Sequence, residues 1–117
     1  MKVKLFFLML AIAITGCYYD NEEELYNCSV NDTRFSTTIG SILTSYGCKG
    51  CHGGAVPSGG INFETHAGVK AMADNGKLYG AITHSPGFEP MPQGGTKMSG
   101  CDISKVKAWI DAGAPNN

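Results

Sequence analysis

Residues 48–52 read Cys48-Lys49-Gly50-Cys51-His52. Two cysteines three positions apart, followed at once by a histidine, form the C-x-x-C-H attachment signature of c-type haem. The spacing has a geometric reason. Residues three apart on a helical turn share a face, so both thiols can add to the haem vinyl groups. The imidazole next in line then comes under the iron, for which it is a good ligand. Other uses of paired cysteines need different surroundings. A thioredoxin-like redox pair belongs in a βαβ unit, and the chain has no run of alternating β-branched residues. A structural zinc site needs a second ligand pair at matching spacing, whereas Cys17, Cys28 and Cys101 each stand alone. The motif occurs once, so one covalently attached haem c is expected, with Cys48 and Cys51 as anchors and His52 as proximal ligand.

The pattern on either side of the motif is helical. Ile39, Ile42, Leu43 and Tyr46 recur at i, i+3, i+4 and i+7, which predicts a helix capped by Ser36 and closed by Gly47. Residues 53–60 (GGAVPSGG) are a loop by composition. Thr65 caps a second helix that closes at Asp74-Asn75-Gly76, and Lys77–Thr83 reads as a short helical turn. Ser99-Gly100-Cys101-Asp102 resembles a capping box with Asp in place of Glu. It opens a last helix to Ala112 with Ile103, Val106 and Ile110 on one face, stopped by Gly113 and Pro115. With 16 glycines and 5 prolines in 117 residues, only short elements fit, and the fold class is all-α.

A haem with one histidine needs a sixth ligand or an open face. Met91 lies in Glu89-Pro90-Met91-Pro92, where the prolines restrict the backbone and remove a competing N–H. Such a loop suits the presentation of one thioether, so Met91 is the preferred distal ligand. Met98, before the last helix cap, and the histidines His84 and His66 are the alternatives, His84 being the better of the two. Met72 falls inside a helical stretch and reads as packing.

The chain opens with Lys2 and Lys4 and then ten apolar residues from Leu5 to Ile14. The run is too short to span a bilayer and matches the core of an export signal. It ends in Ile14-Thr15-Gly16-Cys17, which resembles a bacterial lipobox, with Cys17 as the lipidated residue. Residues 1–16 are thus expected to be a lipoprotein signal peptide and 17–32 an acidic tether containing Glu22, Glu23 and Glu24. Residues 33–117 form the folded domain. Lipid on Cys17 would hold the protein in the bacterial cell envelope, facing the periplasm or the cell surface. Removing Lys2 and Lys4 takes the formal charge from −1 to −3, so no basic footprint for nucleic acid remains.

From about Val30 onward the chain resembles a class I-type cytochrome c domain, and more closely the small lipoprotein or fusion-domain cytochromes of the Bacteroidetes type. The likeness rests on Cys48-Lys49-Gly50-Cys51-His52-Gly53-Gly54, Pro57-Ser58-Gly59-Gly60-Ile61 and Gly76-Lys77-Leu78-Tyr79-Gly80-Ala81-Ile82. It continues through Pro90-Met91-Pro92 and the tail from Trp109 to Asn117. One departure is Lys97-Met98, where an apolar residue commonly sits. The resemblance implies a small cytochrome c fold of three to five short helices around the haem. It also implies outer-sphere electron transfer with His52 and Met91 as axial ligands, hence an electron carrier rather than an enzyme. The partners implied are membrane or periplasmic redox proteins, with no small-molecule substrate. His/Met ligation raises the potential. Ile61, Phe63, Leu78, Tyr79, Ile82 and Phe88 are candidate pocket lining. A carbonyl in the Val56–Gly60 loop, with Pro57 preferred, is the expected acceptor for the proximal ring. The family fold further implies that first and last helices cross, with Gly40 at the close approach and Trp109 as its flat partner. Two other readings stay open: a small haem enzyme or gas sensor with a labile sixth ligand, and an accessory haem module of a larger respiratory complex.

Five cysteines complete the sequence reading. Lipid takes Cys17 and haem takes Cys48 and Cys51, which leaves Cys28 and Cys101. Outside the cytosol leftover cysteines tend to pair, so a Cys28–Cys101 disulfide is expected, with two free thiols or an intermolecular Cys28 bond as alternatives.

Overall fold

The helix expected ahead of the Cys48–His52 motif starts one residue before Ser36, and as a π-turn. The structure, a computed structural model, describes residues 27–117, so the apolar leader, the lipobox and Cys17 lie outside the described residues. Phe35–Ile39 forms the wide turn, and α1 (Gly40–Ser45) continues it. Arg34 O accepts from the N–H groups of both Thr38, at 2.9 Å, and Ile39, at 3.0 Å. Ser36 is therefore inside the turn and does not cap it. Its N–H donates to the backbone oxygen of Asn117 at 2.9 Å, and the N–H of Phe35 donates to Asn117 Oδ1 at 2.8 Å. The free donors at the start of this helix are met by the tail of the chain rather than by a local hydroxyl.

Gly47 ends the first helical segment as the sequence implied. It adopts φ +71°, which costs about 1–2 kcal/mol for a residue with a Cβ, and its N–H donates to Thr44 O. The chain then re-enters a single turn, α2 (Cys48–Cys51). After a 3₁₀ turn at Ser58–Gly60 come α3 (His66–Asp74), α4 (Lys77–Thr83) and α5 (Gly100–Asp111). Thr65 caps α3 as expected, its side chain accepting from Gly68 N–H at 3.2 Å. The described residues are helical with no strand among them, in the all-α class that the pattern predicted. Among them no helix is long and apolar enough to cross a membrane.

The core is built where the first helical segment, α3 and α5 meet. Ile39, Leu43, Val69, Val106 and Trp109 are fully buried. Deleting a buried ring the size of Trp109 ordinarily costs about 3–5 kcal/mol. The crossing of first and last helices is made by aromatic rings, not by Gly40. Phe35 stacks on Trp109 at 5.7 Å, and the His66 ring stands edge-on to both. A Cβ on Gly40 would meet Phe35 O of its own π-turn at 3.2 Å, so that glycine relieves crowding within the turn rather than between helices. The tail is fastened over the core. Trp109 Nε1–H donates to Pro115 O at 3.0 Å, and His66 Nε2–H to Ala114 O at 2.8 Å.

The α5 cap departs from its pattern in an informative way. Ser99 Oγ accepts from Asp102 N–H at 3.1 Å, which is half of a capping box. The other half is supplied from a distance. The Tyr46 hydroxyl accepts from Ser99 N–H at 3.0 Å and donates to Asp102 Oδ2 at 2.9 Å. Asp is one methylene shorter than the Glu of the usual box, and the phenol bridges the gap. Beside this cap Cys101 is disulfide-bonded to Cys28, with Cα atoms 5.6 Å apart across 73 positions. Cys28, in the segment read as tether, is itself buried.

Candidate haem site

Helix α2 is one turn long and carries both thiols. Cys48 and Cys51 are free, in contrast to the paired Cys28 and Cys101. Cys48 packs against the apolar core and Cys51 is exposed. Burial pushes the Cys48 thiol up from its ordinary value, opposed by a backbone hydrogen bond and by the Lys49 charge, so burial favours the neutral thiol there.

His52 closes the turn, its N–H donating to Cys48 O at 2.8 Å. Its Nδ1 lies 3.1 Å from Ser58 O. A carbonyl only accepts, so Nδ1 carries the proton and Nε2 presents a lone pair. The acceptor is thus in the expected loop, but it is Ser58 and not Pro57. The Pro57 carbonyl accepts from Gly60 N–H within the 3₁₀ turn, and that same turn delivers the Ser58 carbonyl to the imidazole. The Phe63 ring lies 5.1 Å from the His52 ring, and Phe63 N–H donates to His52 O.

Met91 is half-buried on the loop after α4 and is gripped by its main chain. Its N–H donates to Ala81 O at 3.0 Å, and its carbonyl oxygen lies 3.0 Å from His84 Nε2; the peptide bond to Pro92 is cis. The other candidates are committed elsewhere. Met98 is 4% exposed and belongs to the hydrophobic core. Met72 packs against that core from its edge, and His66 bonds the Ala114 carbonyl.

Of the expected pocket side chains, Phe63, Leu78 and Ile82 are buried in one cluster. Ile61, Tyr79 and Cys48 pack against it. Pro57 is half-buried in its loop. Phe88 lies outside the cluster, 40% exposed, with its ring on buried Gly80. The tie from Met91 to Ala81 fastens the methionine loop to α4, the helix that contributes Leu78, Tyr79 and Ile82.

These donors fit a covalently attached haem. Two unpaired thiols share a turn, the adjacent imidazole has its second nitrogen held, and apolar side chains gather beside them. Among the described residues no three His, Cys, Asp or Glu side chains form a group that could hold a metal ion. No family model, curated protein or solved structure matches the chain.

Sequence reasoning did not find the roles of Tyr46, His84 and Asn117. The sequence offered His84 as a rival ligand or a distal acid–base group and Tyr46 as part of an apolar helix face, and no local pattern marked Asn117.

Proposed function

We propose that this chain is a monohaem c-type cytochrome, an electron carrier of the bacterial cell envelope held there by lipid on Cys17. In this reading Cys48 and Cys51 anchor the haem, His52 is its proximal ligand and Met91 its distal ligand. Bound haem c supplies a one-electron Fe(III)/Fe(II) couple. The observation that carries the reading is His52: its Nδ1–H is spent on Ser58 O, which fixes the ring and leaves the Nε2 lone pair free beside two unpaired thiols. Holding that tautomer orients the ring as a ligand. Phe63 lies against the His52 ring and shares one buried apolar cluster with Leu78 and Ile82, surroundings that would favour the less charged, reduced state. Membrane or periplasmic redox proteins are the partners this function needs. An enzyme or sensor using His84 as distal acid–base is the weaker reading, because the Nε2 of His84 is engaged by the Met91 carbonyl.

The test uses protein exported with haem covalently bound. Cys51→Ala should fail to yield haem held by two thioether bonds. Met91→Ala should keep the haem but lose the long-wavelength methionine–iron charge-transfer band and lower the potential, whereas Met98→Ala should keep the band. Loss of the band in Met98→Ala and not in Met91→Ala would move the ligand. Carbon monoxide binding by the reduced wild type would favour the enzyme or sensor.

A further inference from the structure

We infer that His84 is a positioning residue that holds Met91 on the haem. The inference rests on the Met91 ligation proposed above and adds what keeps the thioether there. Met91 is held at both ends of its residue by one region, the C-terminal turn of α4. Its N–H donates to Ala81 O at 3.0 Å, and its carbonyl accepts from His84 Nε2–H at 3.0 Å. The Ala81 bond is backbone to backbone, so any sequence could make it. The His84 bond is the side-chain half of the clamp, and only residue 84 supplies it.

The backbone at His84 is arranged for this task. The residue ends α4 in the left-handed region, at φ 57° and ψ 40°. Non-glycine residues rarely adopt that conformation, and those that do so cluster where local structure over-determines it. Here His84 N–H donates to Ala81 O and Ser85 N–H to Gly80 O, so the chain turns back under the helix end. The ring is half-buried and meets the loop seven residues on. Without the clamp, Met91 keeps one hydrogen bond to α4, through Ala81 O, beside the Phe88 ring on Gly80, and the thioether would leave the iron more often.

The effect is a competition between Met91 and an added ligand, so it can be read without electron-transfer activity. The wild-type protein, with haem bound, is compared with His84→Asn and His84→Gln. Asn tolerates the left-handed backbone but is too short to bring its amide to Met91 O. Gln has the reach of a histidine Nε2. Asn117→Ala, at a residue that bonds Phe35 and Ser36, serves as a generally destabilised control. Two quantities are measured in the oxidised proteins: the methionine–iron charge-transfer band and the affinity for added imidazole. Loss of one hydrogen bond should raise the imidazole affinity of His84→Asn roughly 10-fold and weaken the band. His84→Gln should return both toward wild type, and Asn117→Ala should change neither. Wild-type imidazole affinity and band in His84→Asn would overturn the inference, as would equal changes in Asn117→Ala. Absence of the band from the wild type would instead overturn the Met91 ligation itself, and this inference with it.

Discussion

The N–H of Phe35 donates to the side-chain oxygen of Asn117, 82 residues further on, at 2.8 Å. The first helical segment is thereby capped by the far end of the chain, and Ser36 N–H meets the backbone oxygen of the same residue. This couples helix initiation to closure of the tail over Trp109. Replacing a capping oxygen with Ala ordinarily costs about 0.5–2 kcal/mol. Asn117→Ala should therefore lower the Tm of the haem-bound protein, by roughly 4–8 °C per kcal/mol in a domain of this size. Asn117→Asp keeps the acceptor and adds negative charge at a helix start, where it is favourable, so it should show little loss. Equal Tm values for wild type and Asn117→Ala would remove the cap from the account.

Tyr46 makes a second long-range cap, and it can be dissected. Its hydroxyl stands between Ser99 N–H and Asp102 Oδ2. Tyr46→Phe takes the phenol away from an exposed Ser99 N–H, which water can then meet, and should cost about 0.5–1.5 kcal/mol. Asp102→Glu supplies the longer carboxylate of a complete capping box, able to reach Ser99 N–H itself. The double variant should be more stable than Tyr46→Phe alone, as judged by denaturant midpoints. A double variant no better than Tyr46→Phe would show that the phenol acts through packing.

These two caps also mark what the sequence could and could not disclose. Thr65, Gly47 and the extent of α3, α4 and α5 were legible because each rests on residues within one or two turns of one another. The clustering of Cys48, Cys51 and His52 was legible for the same reason, since the three share a single turn. The π-turn start was not, because its partner Asn117 is 82 positions away. The choice between the Pro57 and Ser58 carbonyls turned on a 3₁₀ turn that composition alone could not orient. The resemblance implied a close approach of helices at Gly40, whereas a Cβ there would meet Phe35 O of its own turn.

Cys28 and Cys101 should be recovered as one linked peptide pair from non-reduced protein isolated with haem attached. Among residues 27–117 no alkylatable thiol should remain if, as proposed, haem holds Cys48 and Cys51. The loop closed is 73 positions long, so in the chain-entropy account removing the link should cost roughly 4–5 kcal/mol, less any strain in the folded state. The suitable variant replaces both residues with Ser, since a single replacement would leave a thiol free to compete for Cys48 or Cys51. Denaturant midpoints of haem-bound wild type and double variant measure the cost. Two alkylatable cysteines in the isolated wild type would contradict the pairing.

Gly80 and Phe88 offer a test in which the sign of one substitution depends on the other residue. Gly80 is buried inside α4, where Ala is intrinsically better than Gly by about 1 kcal/mol. A Cβ at this position, however, would fall 2.5 Å from the Phe88 ring, well inside van der Waals contact. The ring must then lift away, and it belongs to the loop that carries Met91. Overpacking of this kind costs typically about 1–3 kcal/mol, which outweighs the helix gain, so Gly80→Ala should destabilise the haem-bound protein. It should also weaken the methionine–iron band, since the displaced segment ends at the ligand. In a Phe88→Ala background the clash is gone and only the propensity remains. There Gly80→Ala should stabilise, by up to about 1 kcal/mol. Denaturant midpoints of the four proteins close the cycle. A coupling energy on the order of 0.5–3 kcal/mol is the range expected for residues in contact. Equal destabilisation by Gly80→Ala in both backgrounds would mean that the glycine is required by something other than the Phe88 ring.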